Sequence, residues 1–234
     1  MTATQINQVR TFYNNYFQVY PSAFITYEIA RGRELNLSYS RRVQRPGGRQ
    51  LNPFIDYSDP FNLRSGNPYL LPAFTGSYEL GYTHILKKGT TMTANVYYRD
   101  RSNLITWYSE VDSNGVNLTT FQNLNSGEDV GLDMNFRGRL GKKGGFFTLG
   151  GNYFYSQVSG DIKGQGWVNQ GGGYGLNTMV STPLWKDASL QIMGNYRSRR
   201  VMAQGFGKPF YFIGGGFKQG FMDDRLNLSV NCRD

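Results

Sequence analysis

Ser77-Tyr78-Glu79-Leu80-Gly81-Tyr82-Thr83 is followed, across a short link at Lys87-Lys88-Gly89, by Met92-Thr93-Ala94-Asn95-Val96-Tyr97-Tyr98-Arg99. In the first run Tyr78, Leu80 and Tyr82 alternate with Ser77, Glu79 and Thr83. In the second, Met92, Ala94, Val96 and Tyr98 alternate with Thr93, Asn95 and Arg99. A side-chain period of two puts alternate residues on opposite faces of a β-strand. The pair therefore reads as two antiparallel neighbours, each with one apolar and one polar face.

The same rhythm runs in both directions from this pair. Upstream, Leu35, Leu37 and Tyr39 alternate with Glu34, Asn36, Ser38 and Ser40. Downstream, Val130, Leu132, Met134 and Phe136 oppose Asp133, Asn135 and Arg137. Phe147, Leu149, Tyr153 and Tyr155 oppose Thr148, Asn152 and Ser156. Leu190, Ile192 and Tyr196 oppose Gln191, Asn195 and Arg197, and Leu226, Leu228 and Val230 oppose Asn227 and Ser229. No segment carries a helical period. The links between runs are lopsided. Short polar or Gly-rich ones fall near Ala30-Arg31-Gly32, Lys87-Lys88-Gly89, Gly141 to Gly145, Lys186-Asp187 and Asp223-Asp224. Longer ones fall from Arg45 to Pro72 and near Asp112 to Asn117, Asp161 to Gly166 and Gly205 to Pro209. About ten strands result, with short turns at one end and long loops at the other, as in outer-membrane barrels.

Composition agrees. The 234 residues include 17 Tyr, 16 Phe, 3 Trp and 30 Gly, and only 39% are hydrophobic. So many aromatics exclude a disordered chain. No run approaches the roughly 18 to 20 apolar residues that a membrane-spanning helix needs. The negative mean hydropathy leaves a barrel open, because barrel strands alternate and average out as hydrophilic. Several runs exceed the 5 to 6 residues typical of soluble strands and reach the roughly 9 to 11 that cross a bilayer. That length favours a membrane barrel over a soluble sandwich. Residues 1–5, Met-Thr-Ala-Thr-Gln, have neither the basic start nor the apolar core of a signal peptide. The net charge of +9 is spread in pairs (Arg41-Arg42, Lys87-Lys88, Lys142-Lys143, Arg199-Arg200), without a nucleic-acid-binding motif. No nucleic-acid partner is expected.

Between Arg41 and Tyr82 the sequence becomes specific. It reads Ser40-Arg41-Arg42-Val43-Gln44-Arg45-Pro46, Leu51-Asn52-Pro53-Phe54, Asp59-Pro60, Leu63-Arg64-Ser65-Gly66-Asn67-Pro68 and Ser77-Tyr78-Glu79-Leu80-Gly81-Tyr82. This resembles the barrel of TonB-dependent receptors, in the outer-membrane β-barrel family common in Bacteroidota. Tyr20-Pro21-Ser22 also resembles that family, whereas Leu71 and Ala73 depart from the polar pattern usual after the GNP motif. The resemblance implies an all-β, antiparallel transmembrane barrel of about twenty-two strands, of which about ten are present. On it, residues 1–234 form a partial barrel domain from the C-terminal part of such a receptor, without plug domain or signal peptide. It also implies location in the bacterial outer membrane and uptake of a nutrient ligand such as a siderophore, vitamin or glycan. The partners so implied are outer-membrane lipid, a plug domain, the TonB complex and a surface lipoprotein. A self-contained barrel of ten strands, serving as pore, adhesin or scaffold, is the alternative.

Catalysis is not expected. A hydrolase triad would have to use His84, which sits near a strand end beside a short turn. One His and one Cys (Cys232) cannot make a metal site of that ligand type, and no cofactor is expected. The carboxylates Asp56 and Asp59, and Glu128 and Asp129, read as turn and strand-end residues, with a loop Ca²⁺ site as the alternative. Gly171-Gly172-Gly173-Tyr174-Gly175 reads as a bend in a strand rather than a phosphate loop. Alternation puts Arg42, Arg99, Arg101, Arg137, Arg139, Arg197 and Arg199 on the polar face, facing the lumen or a plug. Toward lipid each would cost about 2–4 kcal/mol at the midplane. They could attract anionic ligands or pair with carboxylates such as Glu79 and Asp133, and the second reading is favoured. For ligand capture the candidates are Tyr57, Arg64, Asn67 and Tyr69 in the long loop, with Trp107 and Tyr108 near a strand top, because aromatics stack on sugar and chelate rings.

Overall fold

A computed structural model describes residues 2–5, 8–11, 17–86, 89–141, 144–162, 165–202, 205–222 and 225–233. Its main feature is one sheet of ten antiparallel strands in sequence order: β3 (Ser22–Ala30), β4 (Arg33–Gln44), β6 (Ala73–Ile85), β7 (Thr91–Val111), β8 (Asn117–Leu140), β9 (Gly145–Ile162), β10 (Gln165–Pro183), β11 (Ala188–Arg197), β14 (Phe210–Phe221) and β15 (Leu226–Arg233). Each strand pairs with the one before and the one after it. Among the described residues β3 pairs only with β4 and β15 only with β14, so the sheet ends in two edges without a partner strand there. Small elements complete the chain: a hairpin of β1 (Thr2–Gln5) and β2 (Gln8–Thr11), one helical turn α1 (Gly48–Leu51), β5 (Asn62–Arg64), and a second hairpin of β12 (Arg200–Met202) and β13 (Gly205–Gly207).

Register confirms the alternation, row by row. One face carries Leu37, Leu80, Val96, Leu132, Tyr153 and Tyr174, directly opposite one another across six strands. The other carries Asn36, Gly81, Asn95, Asp133, Asn152, Gly175 and Arg197. Most large side chains of the apolar face are exposed, among them Leu80 (51%), Val96 (51%) and Tyr153 (60%). A sheet that leaves a whole face of Leu, Val and Tyr uncovered is not folded for water.

The short turns meet at one end, where Gly32 and Gly141 take positive φ, as do Asp187 and Met222. The links at Lys87-Lys88, Lys142-Lys143 and Asp223-Asp224 lie outside the described residues. At the opposite end the strands run on well beyond a bilayer. β7 has 21 residues and β8 has 24, against the roughly 9 to 11 needed for crossing. A turn closes this hairpin: Asp112 Oδ1 accepts the amides of Asn114 and Val116, and Gly115 has φ +79°.

The glycine-rich run in β10 is not a bend. It stays paired with β9 throughout, Gly171 with Ser156 to Gly175 with Asn152. Its glycines instead make room for neighbours. A Cβ on Gly173 would lie 2.6 Å from the Phe154 ring and 2.9 Å from the Arg199 carbonyl, and one on Gly171 would touch Val201 and Phe206 of the β12–β13 hairpin. That hairpin folds over the polar face of β10. Asn169 Nδ2 holds it by donating to the carbonyls of Met202 (2.8 Å) and Gly205 (2.9 Å).

Candidate functional site

The long loop, 45–72, folds back onto the upper part of β7 and β8. β5 adds in parallel beside β8, Leu63 opposite Leu118. The Gly66 amide donates to the Asn52 carbonyl and the Asn67 amide to the Gln50 carbonyl, both at 2.7 Å. Gly66 is required by this close approach. A Cβ there would stand 2.5 Å from the Asn52 carbonyl and 2.6 Å from that of Gln50, both backbone atoms that cannot swing away. Asn67 points inward. Its amide nitrogen donates to the Phe121 carbonyl, and its oxygen accepts the Tyr69 amide. Asn123 grips the next segment from β8: its oxygen accepts the Leu71 amide, and its nitrogen donates to the carbonyls of Leu71 and Asn103. Leu70 between them is 1% exposed. The motif residues are thus the loop's internal fastening.

The fastening leaves a pocket of about 130 Å³ between loop and sheet. Trp107 and Phe121 floor it, with ring centroids 3.9 Å apart, and Arg49, Arg64, Asp56 and Phe54 rim it. Of the candidates for ligand capture, the fold brings Arg64 and Trp107 together here. Asn67 is spent on the loop itself. Tyr57 and Tyr69 stand exposed on the loop, and Tyr108 is half-exposed on β7. Arg49 and Phe121 complete the pocket without having been singled out in the sequence, and Phe54 joins them from the Leu51-Asn52-Pro53-Phe54 motif. Trp107 lies 35 positions beyond the end of the loop and 53 beyond Phe54, so no local pattern joins them. The loop carboxylates form turns. A Ser58 hydroxyl holds the Asp56 carboxyl below its ordinary range, and the Asn62 side chain does the same for Asp59.

The polar-face arginines divide into groups. Arg101 Nη2 pairs with Asp129 Oδ1 at 2.7 Å and reaches Ser156 Oγ at 3.4 Å, with its Nε buried and unpartnered. Gly127, directly opposite Arg101, leaves space for the guanidinium to reach diagonally. Arg99 lies over the Tyr97 ring at 4.1 Å and 3.7 Å from Glu79, which also accepts a hydrogen bond from Ser77. Arg42 lines one depression with Ser77, Glu79 and Arg99. Arg137, Arg139 and Arg197 occupy polar-face positions by register and are exposed. Two expectations change. Arg101 takes Asp129, a carboxylate that the sequence assigned to a strand end, while Asp133 lies three rows away, opposite Asn95. Arg199 lies past the end of β11, where strand alternation no longer applies, and its guanidinium sits 4.9 Å from the Phe206 ring centroid. Glu128 and Asp129 are likewise not at a strand end. They lie within β8, on opposite faces.

One group on this face was not visible as a site in the sequence. A depression of about 410 Å³ is lined by Asn95, Asn135, Asn152, Asn177 and Asn195, with Asp133 and Arg197. A glycine makes room for several of these amides. A Cβ on Gly81 would meet Asn95 Oδ1 at 2.6 Å, and one on Gly175 would meet Asn152 Oδ1 at 2.5 Å. The available signal was Asn recurring at polar positions with Gly at the paired position of the next strand.

A sequence profile of the outer membrane protein beta-barrel family matches residues 1–234. The chain belongs to that family. No curated protein matched it in sequence. Among solved structures, the fold is similar to the siderophore receptor PirA from Pseudomonas aeruginosa, with a TM-score of 0.59 and 18% identity over 91% of this chain and 34% of that one. A variant of the ferric enterobactin receptor PfeA from the same organism, in complex with enterobactin, gives a TM-score of 0.57 at 17% identity over the same shares. PirA from Acinetobacter baumannii gives 0.54 at 14% identity, over 87% and 35%. The chain therefore spans about a third of the length of these receptors.

Membership of this outer-membrane family gives the two faces their solvents. The apolar face meets lipid, and its upper border is a belt of tyrosines: Tyr39, Tyr78, Tyr98 and Tyr155 in one row, then Tyr153 and Tyr174 one row down, then Tyr196 and Tyr211 a further row down. Aromatic girdles mark the interfaces of such barrels. Neighbouring rings touch, with centroids 4.8 Å apart for Tyr39–Tyr78 and 6.3 Å for Tyr78–Tyr98. The belt descends through the rows because strands lean in a barrel, so hydrogen-bonded rows are inclined to the membrane plane. His84, at the opposite border, accepts a hydrogen bond from Arg33 Nε at 3.4 Å, an interface role.

Proposed function

We propose that this chain is part of a TonB-dependent receptor barrel of the Bacteroidota type, from the C-terminal part of the barrel, which takes up a nutrient ligand. The observation that carries the reading is the open sheet. Nine of its ten strands have the roughly nine or more residues that a crossing needs, yet among the described residues β3 and β15 each pair with one neighbour only. In lipid each unsatisfied backbone group costs several kcal/mol, so membrane sheets close. Further strands of a barrel of about twenty-two would complete these edges, around a plug domain. The similar solved structures, about three times longer, fit that arrangement. A closed ten-stranded pore would instead need β3 paired with β15.

On this reading the long loops stand outside the cell, and the pocket of Trp107, Phe121, Arg49 and Arg64 is where ligand first rests. The aromatic floor stacks on a planar group, and the guanidinium groups attract negative charge. The polar face, with its arginines and asparagines, lines the lumen against the plug. Ligand then passes when the TonB complex pulls on the plug, without any bond being made or broken. The test is uptake by cells carrying the whole gene, with a panel of iron-55-labelled ferric siderophores (enterobactin first), vitamin B12 and neutral oligosaccharides. The expected result is gene-dependent uptake of one class, lowered about tenfold by Trp107→Ala with Arg64→Ala. Uptake of every member unchanged by deletion of the gene would overturn the proposal.

A further inference from the structure

The lipid-facing surface carries charged groups immediately above its tyrosine belt. The row above Tyr39, Tyr78 and Tyr98 reads Arg41, Gly76, Asp100 and Glu128 across β4, β6, β7 and β8. These positions have the same parity as Leu37, Leu80 and Val96, so they point outward with the apolar residues and not into the polar face. Gly76 leaves a gap in the row. A Cβ there would meet nothing nearer than the Asp100 carbonyl at 4.0 Å. The result is a notch of about 300 Å³, with Arg41 on one side, Asp100 on the other, and Tyr39, Tyr78 and Tyr98 below. Arg41 lies 5.4 Å from the Phe74 ring centroid, with no carboxylate partner among the described residues. Glu128 stands directly opposite Asp100, one row above Tyr98, which places the acidic end of the row beside the belt.

We infer that this notch binds the headgroup of a phosphorylated glycolipid of the outer leaflet. Read upward along the strands, the surface offers Leu37, Leu80 and Val96, then stacked tyrosines, then a guanidinium and carboxylates separated by a gap. An amphiphile matching that order has acyl chains, a sugar ring and a phosphate. The chains lie along the aliphatic residues, and the ring rests on the tyrosines. Its hydroxyls donate to Asp100 and Glu128, and its phosphate is held by Arg41. A free phosphate would leave the aliphatic and aromatic part of the surface unused. An anionic phospholipid would leave the carboxylates facing its charged group, which like charges oppose, and a zwitterionic one would leave the tyrosine platform without a ring to carry. The long-loop end is the outer side of such barrels, which puts the notch in the leaflet where glycolipid resides.

The experiment is titration of the protein, purified from its own outer membrane in mild detergent, with bisphosphorylated lipid A, read by native mass spectrometry. The expected result is retention of one lipid A by the native protein. Arg41→Glu should lower the bound fraction about tenfold, as loss of one charge-assisted hydrogen bond predicts. Gly76→Leu, which fills the notch without changing charge, and enzymatic removal of the lipid's phosphates should each do the same. Arg33→Glu, at the opposite border, should bind as the native protein does. Heat-modifiable gel migration shows that each variant is folded, and Gly76→Leu decides the matter where Arg41→Glu is not. Equal binding by Gly76→Leu, equal binding of dephosphorylated lipid, or equal competition by phosphatidylethanolamine would overturn the inference.

Discussion

Replacing Asn123 by alanine removes the clamp that holds the long loop to β8. Three hydrogen bonds go with it: the one accepted from the Leu71 amide at 2.8 Å and those donated to the carbonyls of Leu71 at 3.0 Å and Asn103 at 2.7 Å. A typical internal hydrogen bond contributes about 0.5–1.5 kcal/mol net, so the three together are worth about 2–4 kcal/mol of loop docking. At about 1.4 kcal/mol per tenfold, local opening should become about 30 to 700 times more frequent. Hydrogen exchange at the Leu71 amide, measured on the protein in detergent or nanodiscs, reads this directly. Limited proteolysis of 45–72 should accelerate in parallel, while exchange in β9 and β10 stays unchanged. Asn123→Asp is the sharper test. It keeps the acceptor for Leu71 but turns the donor into an oxygen facing two carbonyls, so it should open the loop at least as much as alanine does. Protection at Leu71 within threefold of the native value in both variants would refute the argument that these bonds dock the loop.

Three further outcomes follow from the same geometry. Gly66→Ala pushes a methyl group against two backbone carbonyls and should cost about 1–3 kcal/mol, seen as loss of ligand-pocket order by Trp107 fluorescence in a variant lacking the other two tryptophans. Leu80→Arg, on the lipid face, should cost about 2–4 kcal/mol in denaturant titrations, whereas Thr93→Arg, on the polar face, should cost under about 1 kcal/mol; equal costs would mean the faces are misassigned. The carboxyls of Asp56, Asp59 and Asp112 are held below their ordinary value of 3.8, so their contribution to loop order is whole above that value and is lost as pH falls through the lower folded values. Protection of the Phe61, Asn114 and Val116 amides should therefore hold down to the ordinary value of 3.8 and fall only below it, and Asp59→Asn should remove the pH dependence at Phe61 alone.

The strands and turns were legible because one physical constraint, apolar side chains toward lipid and polar ones away, writes itself into every second residue. Leu35-Leu37-Tyr39 and Leu226-Leu228-Val230 could be placed on the correct face from spacing alone. Where that constraint ends, so did the reading. Beyond Tyr98 the hairpin leaves the lipid, its faces no longer differ in solvent, and Leu104 to Val111 carries no clean alternation although it is strand. The Arg101–Asp129 pair needed the register between two strands, which no single strand encodes. The Asn and Gly pairs that shape the polar depression are likewise written across strands, Asn152 against Gly175, twenty-three positions apart in sequence. The loop pocket needed both a motif and a distant tryptophan. The sequence held the motif as a resemblance and the tryptophan as an isolated candidate, without the fold that joins them.

The length of β7 and β8 changes how the cell surface meets large objects. From Tyr98 to Val111 the hairpin continues for thirteen residues past the belt, about 40 Å along the strand at the usual rise. A ladder of paired backbone, broken at Asn103 where φ is +53°, makes that projection stiff, so it stands above the headgroups as a post and not as a loose tether. Bacteriophage tail fibres and antibodies, too broad to enter a lumen, would reach this post first, and with it the pocket, because Trp107 and Phe121 lie within five residues of its tip. An antibody raised against the Asp112–Val116 tip should label intact cells and hinder ligand at the pocket beside it.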